Sequence, residues 1–157
     1  MKKYWIIPAV ALVAIAGSMV YSMSSIDKPA VAQGSATFID GTKISEVRFE
    51  PTDAEDKHKN AVIKLVPGTE KGLSFAVHLN DSDRKILTNV GDFPLATYCK
   101  GDAVLECIIP IGHDAFDKSV SLGIAAYKIP GQLLQVKEGV SDWDDHRAIF
   151  STKSSVN

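Results

Sequence analysis

From Tyr4 to Met23 the chain runs about twenty residues without a charge, the length an α-helix needs to cross ~30 Å of hydrocarbon. No other stretch constrains the chain as much. Lys2 and Lys3 precede the run, and the bias of basic residues toward the cytoplasmic side keeps the N-terminus inside and exports everything after Ser24. Tyr4 and Trp5 at one end and Tyr21 at the other suit the aromatic belts at the two membrane interfaces. Residues 1–24 are therefore expected to form a single transmembrane helix, a signal anchor that contacts the lipid bilayer.

A cleaved secretory leader is the alternative. Ala30-Val31-Ala32 before Gln33 fits the small-x-small rule for cleavage near Ala32. The apolar run exceeds the ~7–15 residues of a leader core, and Asp27 and Lys28 separate it from the proposed cut. Both features favour the anchor. Residues 25–35, broken by Pro29 and Gly34, read as a linker. Residues 36–153 read as an extracytoplasmic, periplasmic domain, and 154–157 as a frayed tail.

Lys2, Lys3 and Lys28 are three of the 17 basic residues and Asp27 one of the 19 acidic ones, so the part from Gln33 on carries 14 against 18. That is a formal charge of −4 with no basic cluster, which argues against a nucleic-acid partner. Cys99 and Cys107 are the only cysteines, and an even count in an exported chain favours a disulfide.

Short alternating segments dominate the exported part. Asp40-Gly41 marks a two-residue hairpin turn between Thr37–Ile39 and Ile44–Glu50, where Val47 and Phe49 alternate with Glu46, Arg48 and Glu50. Ala61–Val66 follows as a strand, and Leu73, Phe75, Val77 and Leu79 give the cleanest alternation in the chain. Between the two hairpin-forming regions, Pro51–Lys59 reads as a solvated loop. Asn80–Asp92 reads as a connection with a short helix over Ser82–Val90. Phe93–Tyr98 is expected to pair with Val104–Ile111 across Lys100-Gly101-Asp102, and Ser119–Ile129 with Leu133–Lys137 across Pro130-Gly131. His146–Thr152 is the last strand. The fold class is mainly β: one transmembrane helix followed by an antiparallel β-sandwich or small barrel.

Catalytic signatures are weak. Ser82-Asp83-Arg84-Lys85 matches Ser-x-x-Lys, but the Lys-Thr-Gly strand that accompanies it in acylating enzymes is absent. His113 with Asp114 and Asp117, and Asp142–His146, gather carboxylates and imidazoles without the ligand order of a metal loop. Neither metal nor cofactor is expected, and Asn80-Asp81-Ser82 is an N-glycosylation triplet. Trp143, set among acidic groups, is the first candidate for partner contact. The second is Ser119, Ser121, Gly123 and Ala125, four small residues on the expected outward face of one strand. The sequence thus points to a non-enzymatic, membrane-anchored accessory or assembly subunit that binds another membrane or envelope protein. A cleaved, soluble exported binding or inhibitor protein is the alternative, and an extracytoplasmic hydrolase is third.

Overall fold

Side chains that alternate along a strand need a partner layer on one side only, and this chain meets that need by stacking two antiparallel sheets. The computed structural model describes residues 30–32, 34–51, 58–141 and 145–153. The elements in order are β1 (Ala30–Ala32), β2 (Ala36–Phe38), β3 (Lys43–Pro51), β4 (His58–Val66), β5 (Ser74–Asn80), β6 (Ile86–Pro94), a helical turn α1 (Leu95–Tyr98), β7 (Cys99–Gly101), β8 (Leu105–Gly112), α2 (His113–Lys118), β9 (Ser121–Tyr127), β10 (Val136–Glu138) and β11 (Arg147–Ser151).

One sheet runs β10-β2-β3-β4-β8-β7, with β1 also on β3; the other runs β11-β9-β5-β6. The order β3-β4-β8-β7 opposite β6-β5-β9-β11 is the A-B-E-D and C′-C-F-G order of Greek-key, immunoglobulin-type sandwiches. Between the sheets lie Ile44, Val47, Ile63, Leu65 and Ile109 from the first, and Val77, Leu79, Leu122, Ile124 and Phe150 from the second. Phe38 and Phe75 meet across the gap with ring centroids 6.4 Å apart. On the outer face of the larger sheet, Arg48 Nε donates to Glu50 at 2.7 Å and Nη1 to Glu46 at 3.1 Å, with Glu106 at 3.6 Å. The hydrogen bond to Glu50 does most to hold that guanidinium charged.

Several local expectations give way to the sheet pairing. The Asp40 turn has three loop residues, with Phe38 N donating to Thr42 O and Gly41 at φ +90°. Asp40 Oδ1 accepts from Thr42 N at 3.0 Å, an extra closure that a two-residue turn lacks. No helix forms over Ser82–Val90. Those residues make a tight turn and then β6, which pairs with β5 through two register shifts. Phe93 and Pro94 stay on that pairing, so α1 carries the chain to the other sheet and only β7 forms a hairpin with β8. Leu133 bridges Tyr127, after which β10 crosses to β2 instead of extending beside β9. Ala30–Ala32, within the expected linker, pair with Phe49, Arg48 and Val47 as β1, and Ala32 reaches the core.

Among the described residues no helix is long and apolar enough to cross a membrane. Tyr4, Trp5 and Tyr21 lie outside the described residues with the rest of their apolar run, as does most of Pro51–Lys59.

Cys99 and Cys107 are bonded to each other. They face one another on neighbouring strands with Cα atoms 4.0 Å apart, so the bridge staples β7 to β8 within one sheet. Gly101, at φ +131°, lets the chain turn where a Cβ would strike the Val104 carbonyl oxygen. Closing so short a loop stabilises by about 2–3 kcal/mol at most. Replacing both cysteines by serine should lower unfolding stability by up to that amount in denaturant titration, with the native fold retained.

Candidate functional site

The outer face of the four-stranded sheet gathers side chains that the core leaves unused. Opposite Leu122, Ile124 and Ala126 on β9 stand Ser121, Gly123 and Ala125, the strip expected to lie open. The structure closes it. Ser119 is 0% exposed, Ser121 6% and Ala125 2%, and Gly123 is buried as well. β9 lies between β5 and β11, and Arg147 from β11 and Asn80 from β5 lie on its outer face. A Cβ on Gly123 would stand 3.0 Å from Asn80 Nδ2 and 3.5 Å from Arg147 Nη1. The small residues make room for side chains of their own chain, the close approach for which a strand glycine is often kept.

A hydrogen-bonded chain runs across this face. Asn80 Nδ2 donates to Ser121 Oγ at 3.2 Å, and Arg147 Nη1 donates to Asn80 Oδ1 at 3.0 Å. Arg147 Nη2 donates to the Arg84 carbonyl at 3.2 Å, and Arg84 Nη1 to the Ser141 carbonyl at 3.0 Å. Arg84 sits at φ +61°, uncommon for a residue with a side chain. The turn is held there by Asp81, whose Oδ1 accepts from Asp83 N at 2.8 Å and Lys85 N at 3.0 Å. Ser82 and Lys85, the Ser-x-x-Lys pair, thus lie on a closed surface turn. Asn80, of the glycosylation triplet, is fully buried with its amide engaged, which leaves no room for a glycan on the folded chain.

Trp143 lies outside the described residues, but both its flanks are placed. Ser141 Oγ donates to Asp145 Oδ1 at 2.8 Å, Ser141 bridges Ala148, and Ile149 N donates to the Val140 carbonyl at 2.9 Å. Val140 and Ser141 therefore run along the free edge of β11. Beside it is a depression of ≈ 280 Å³ walled by Val120, Val140 and Ile149 and rimmed by Asp81, Arg84 and Ser121. Val120 is 41% exposed and Val140 57%. Ser121 of the strip lines this hollow, as does Val140, three residues before Trp143 in the sequence. Sequence reasoning missed Val120, Val140, Arg84 and Arg147. Gly123 in mid-strand was the one available signal. Comparison with protein-family models, curated proteins and solved structures finds no match.

Lower on the same face stand His78, Asp92 and Tyr127. Burial, and then the positive charge of Arg147, holds the His78 imidazole below its usual range, while Asp92 opposes the shift. Its Nδ1 is buried and has no hydrogen-bond partner among the described residues. Burial, followed by the Asp92 carboxylate, raises the Tyr127 phenol. Among the described residues no three His, Cys, Asp or Glu side chains converge as metal ligands. His58 and His113 have no described side chains.

Two outcomes follow from this packing. Gly123→Leu should destabilise the fold by about 1–3 kcal/mol, measured by thermal or denaturant unfolding, because neither Asn80 nor Arg147 can leave without abandoning a buried polar partner. His78 takes up a proton less readily folded than unfolded. Stability should therefore fall as pH drops below the unfolded value of about 6.5 and level off once the lower folded pKa is passed. Melting curves between pH 7 and pH 5 should show that loss reduced in His78→Gln.

Proposed function

We propose that the chain is a membrane-tethered, extracytoplasmic protein-binding domain, an accessory or assembly subunit of an envelope complex with no catalytic role of its own. The apolar hollow of Val120, Val140 and Ile149 carries this reading. Exposed aliphatic walls inside a polar, charged rim are the anatomy of a protein contact, where one apolar anchor supplies much of the affinity. Trp143, two residues beyond Ser141, belongs to the same contact.

The tether reading gains support from β1. β1 runs antiparallel to β3 with Ala30 level with Phe49, so the chain joins the sandwich at the end that carries α2 and the β5–β6 turn. Ser24–Pro29 spans at most about 20 Å when fully extended. An anchored helix would hold this end, and the hollow beside it, close to the bilayer. A membrane protein is thereby the favoured partner, since confinement replaces part of the affinity an interface must supply. Cleavage after Ala32 would separate β1 from the domain, leave Val47–Phe49 of β3 without that neighbour and take Ala32 from the core. Loss of a paired strand weighs against the soluble, cleaved alternative.

Extraction and partner capture test the proposal together. The full chain should need detergent for release and retain its N-terminal residues on sequencing; a product starting at Gln33 in an osmotic-shock fraction would refute the tether. Val140→Asp and Trp143→Ala should each weaken capture of the membrane partner from detergent extracts by roughly five-fold or more, with Val140→Asp leaving the melting temperature nearly unchanged. Unaltered capture by both variants would refute the contact.

A further inference from the structure

The hydrogen-bonded chain across the outer face of the smaller sheet leaves out one buried nitrogen, Nδ1 of His78, which has no partner among the described residues. We infer that His78 is a proton-operated catch: a proton added to its imidazole unseats Arg147 from Asn80 and Gly123 and loosens the rim of the hollow at Arg84 and Ser141. The catch is a property of the folded domain and does not rest on the protein-binding reading.

Placement makes the coupling direct. His78 on β5 is level with Gly123 on β9 and stands two residues from Asn80 on the same face. The Arg147 side chain lies over Gly123, where a Cβ would meet its Nη1 at 3.5 Å and its Cδ at 3.7 Å. The guanidinium is therefore beside the imidazole. It is held there by donation from Nη1 to Asn80 Oδ1 at 3.0 Å and from Nη2 to the Arg84 carbonyl at 3.2 Å.

Three other elements bring charged or titratable groups to this part of the face: Arg147 from β11, Asp92 from β6 and Tyr127 from β9. Asp92 favours a proton on His78, but its carboxylate also shares a hydrogen bond with the Tyr127 phenol. A neutral imidazole needs only one donor satisfied, whereas an imidazolium carries two N–H donors. The second would be buried at Nδ1, and a buried donor without an acceptor is costly. Asn80 Oδ1 is an acceptor on the same face, and Arg147 occupies it. Protonation therefore acts on Arg147 twice, by competition for Asn80 and by repulsion of like charge. Burial and the charge of Arg147 already hold the imidazole below its usual range. By linkage, a contact that resists the proton is one the bound proton weakens. Each pKa unit between the seated and unseated arrangements biases their equilibrium by about ten-fold.

Release reaches the hollow through Arg84. Its backbone, at φ +61°, offers its carbonyl to Arg147, and its own Nη1 donates to the Ser141 carbonyl at 3.0 Å. Arg84 lines the hollow together with Val120, Val140 and Ile149. An unseated Arg147 gives up the hydrogen bond that joins the Asp81–Lys85 turn to β11. In mildly acidic surroundings the domain would keep its sandwich and lose the fixed shape of this rim.

The test is an NMR titration of the isotope-labelled full chain in lipid nanodiscs, from about pH 7.5 to about pH 5. The His78 imidazole should titrate with a midpoint below the ordinary value of about 6.5. The Asn80 side-chain amide and the backbone amides of Arg84, Val140 and Ser141 should shift with that same midpoint. In His78→Gln and His78→Asn those shifts should disappear, and Arg147→Gln should move the His78 midpoint upward. Titration of His78 while Arg84, Val140 and Ser141 stay still would overturn the inference in the wild-type chain alone, whether or not the variants fold. Shifts that persist in a folded His78 variant would assign them to His146, Asp81 or Asp145 and overturn it as well. Collapse of the whole spectrum at the His78 midpoint would mean unfolding of the domain, and that too would overturn the catch.

Discussion

Everything in this domain depends on two sheets hiding their apolar faces against each other. β5 and β9 do most for the smaller sheet, with Phe75, Val77, Leu79, Leu122 and Ile124 all at 1% exposure or less. Without that contact each sheet would leave its apolar face in water. The contact also determines where the loops go. Each crossing between sheets emerges at one of two ends, so residues remote in sequence become neighbours there.

The outer face of the smaller sheet shows what a central strand requires. β9 is covered on its core side by hydrophobic packing and on its outer side by Arg147 and Asn80. Buried polar groups are tolerable only when each finds a partner, and the Ser121–Asn80–Arg147–Arg84–Ser141 chain supplies most of them. Among the described residues His78 Nδ1 is the exception, and the same burial lowers the pKa of that imidazole. The strip of small residues is thus a seat for this chain's own arginine. The apolar side chains that stay exposed lie at its edge, at Val120 and Val140.

Much of the fold was legible in the residues themselves. Strict alternation at Gly72–Leu79 and Glu46–Glu50 marked β5 and β3, and the cysteine pair marked the bridge. Ile86–Pro94 was not legible. It has no period-two pattern, because two register shifts against β5 change which face its residues take. Its status as a strand comes from its neighbour. Ala30–Ala32 escaped for a related reason: three small residues among Pro and Gly carry no local signal, and only the free edge of β3 makes them a strand.

Composition and periodicity by themselves determined the class of the chain: an apolar N-terminal run, a mainly β body and one disulfide. These are properties of single segments, readable wherever the segment lies. Tertiary structure alone decided which face of β9 is covered, which strands share a sheet and which apolar side chains remain exposed together. Those outcomes depend on contacts between residues such as Arg147 and Gly123 or Val120 and Val140, and no local pattern encodes the approach of two segments that meet only after the sheets have closed.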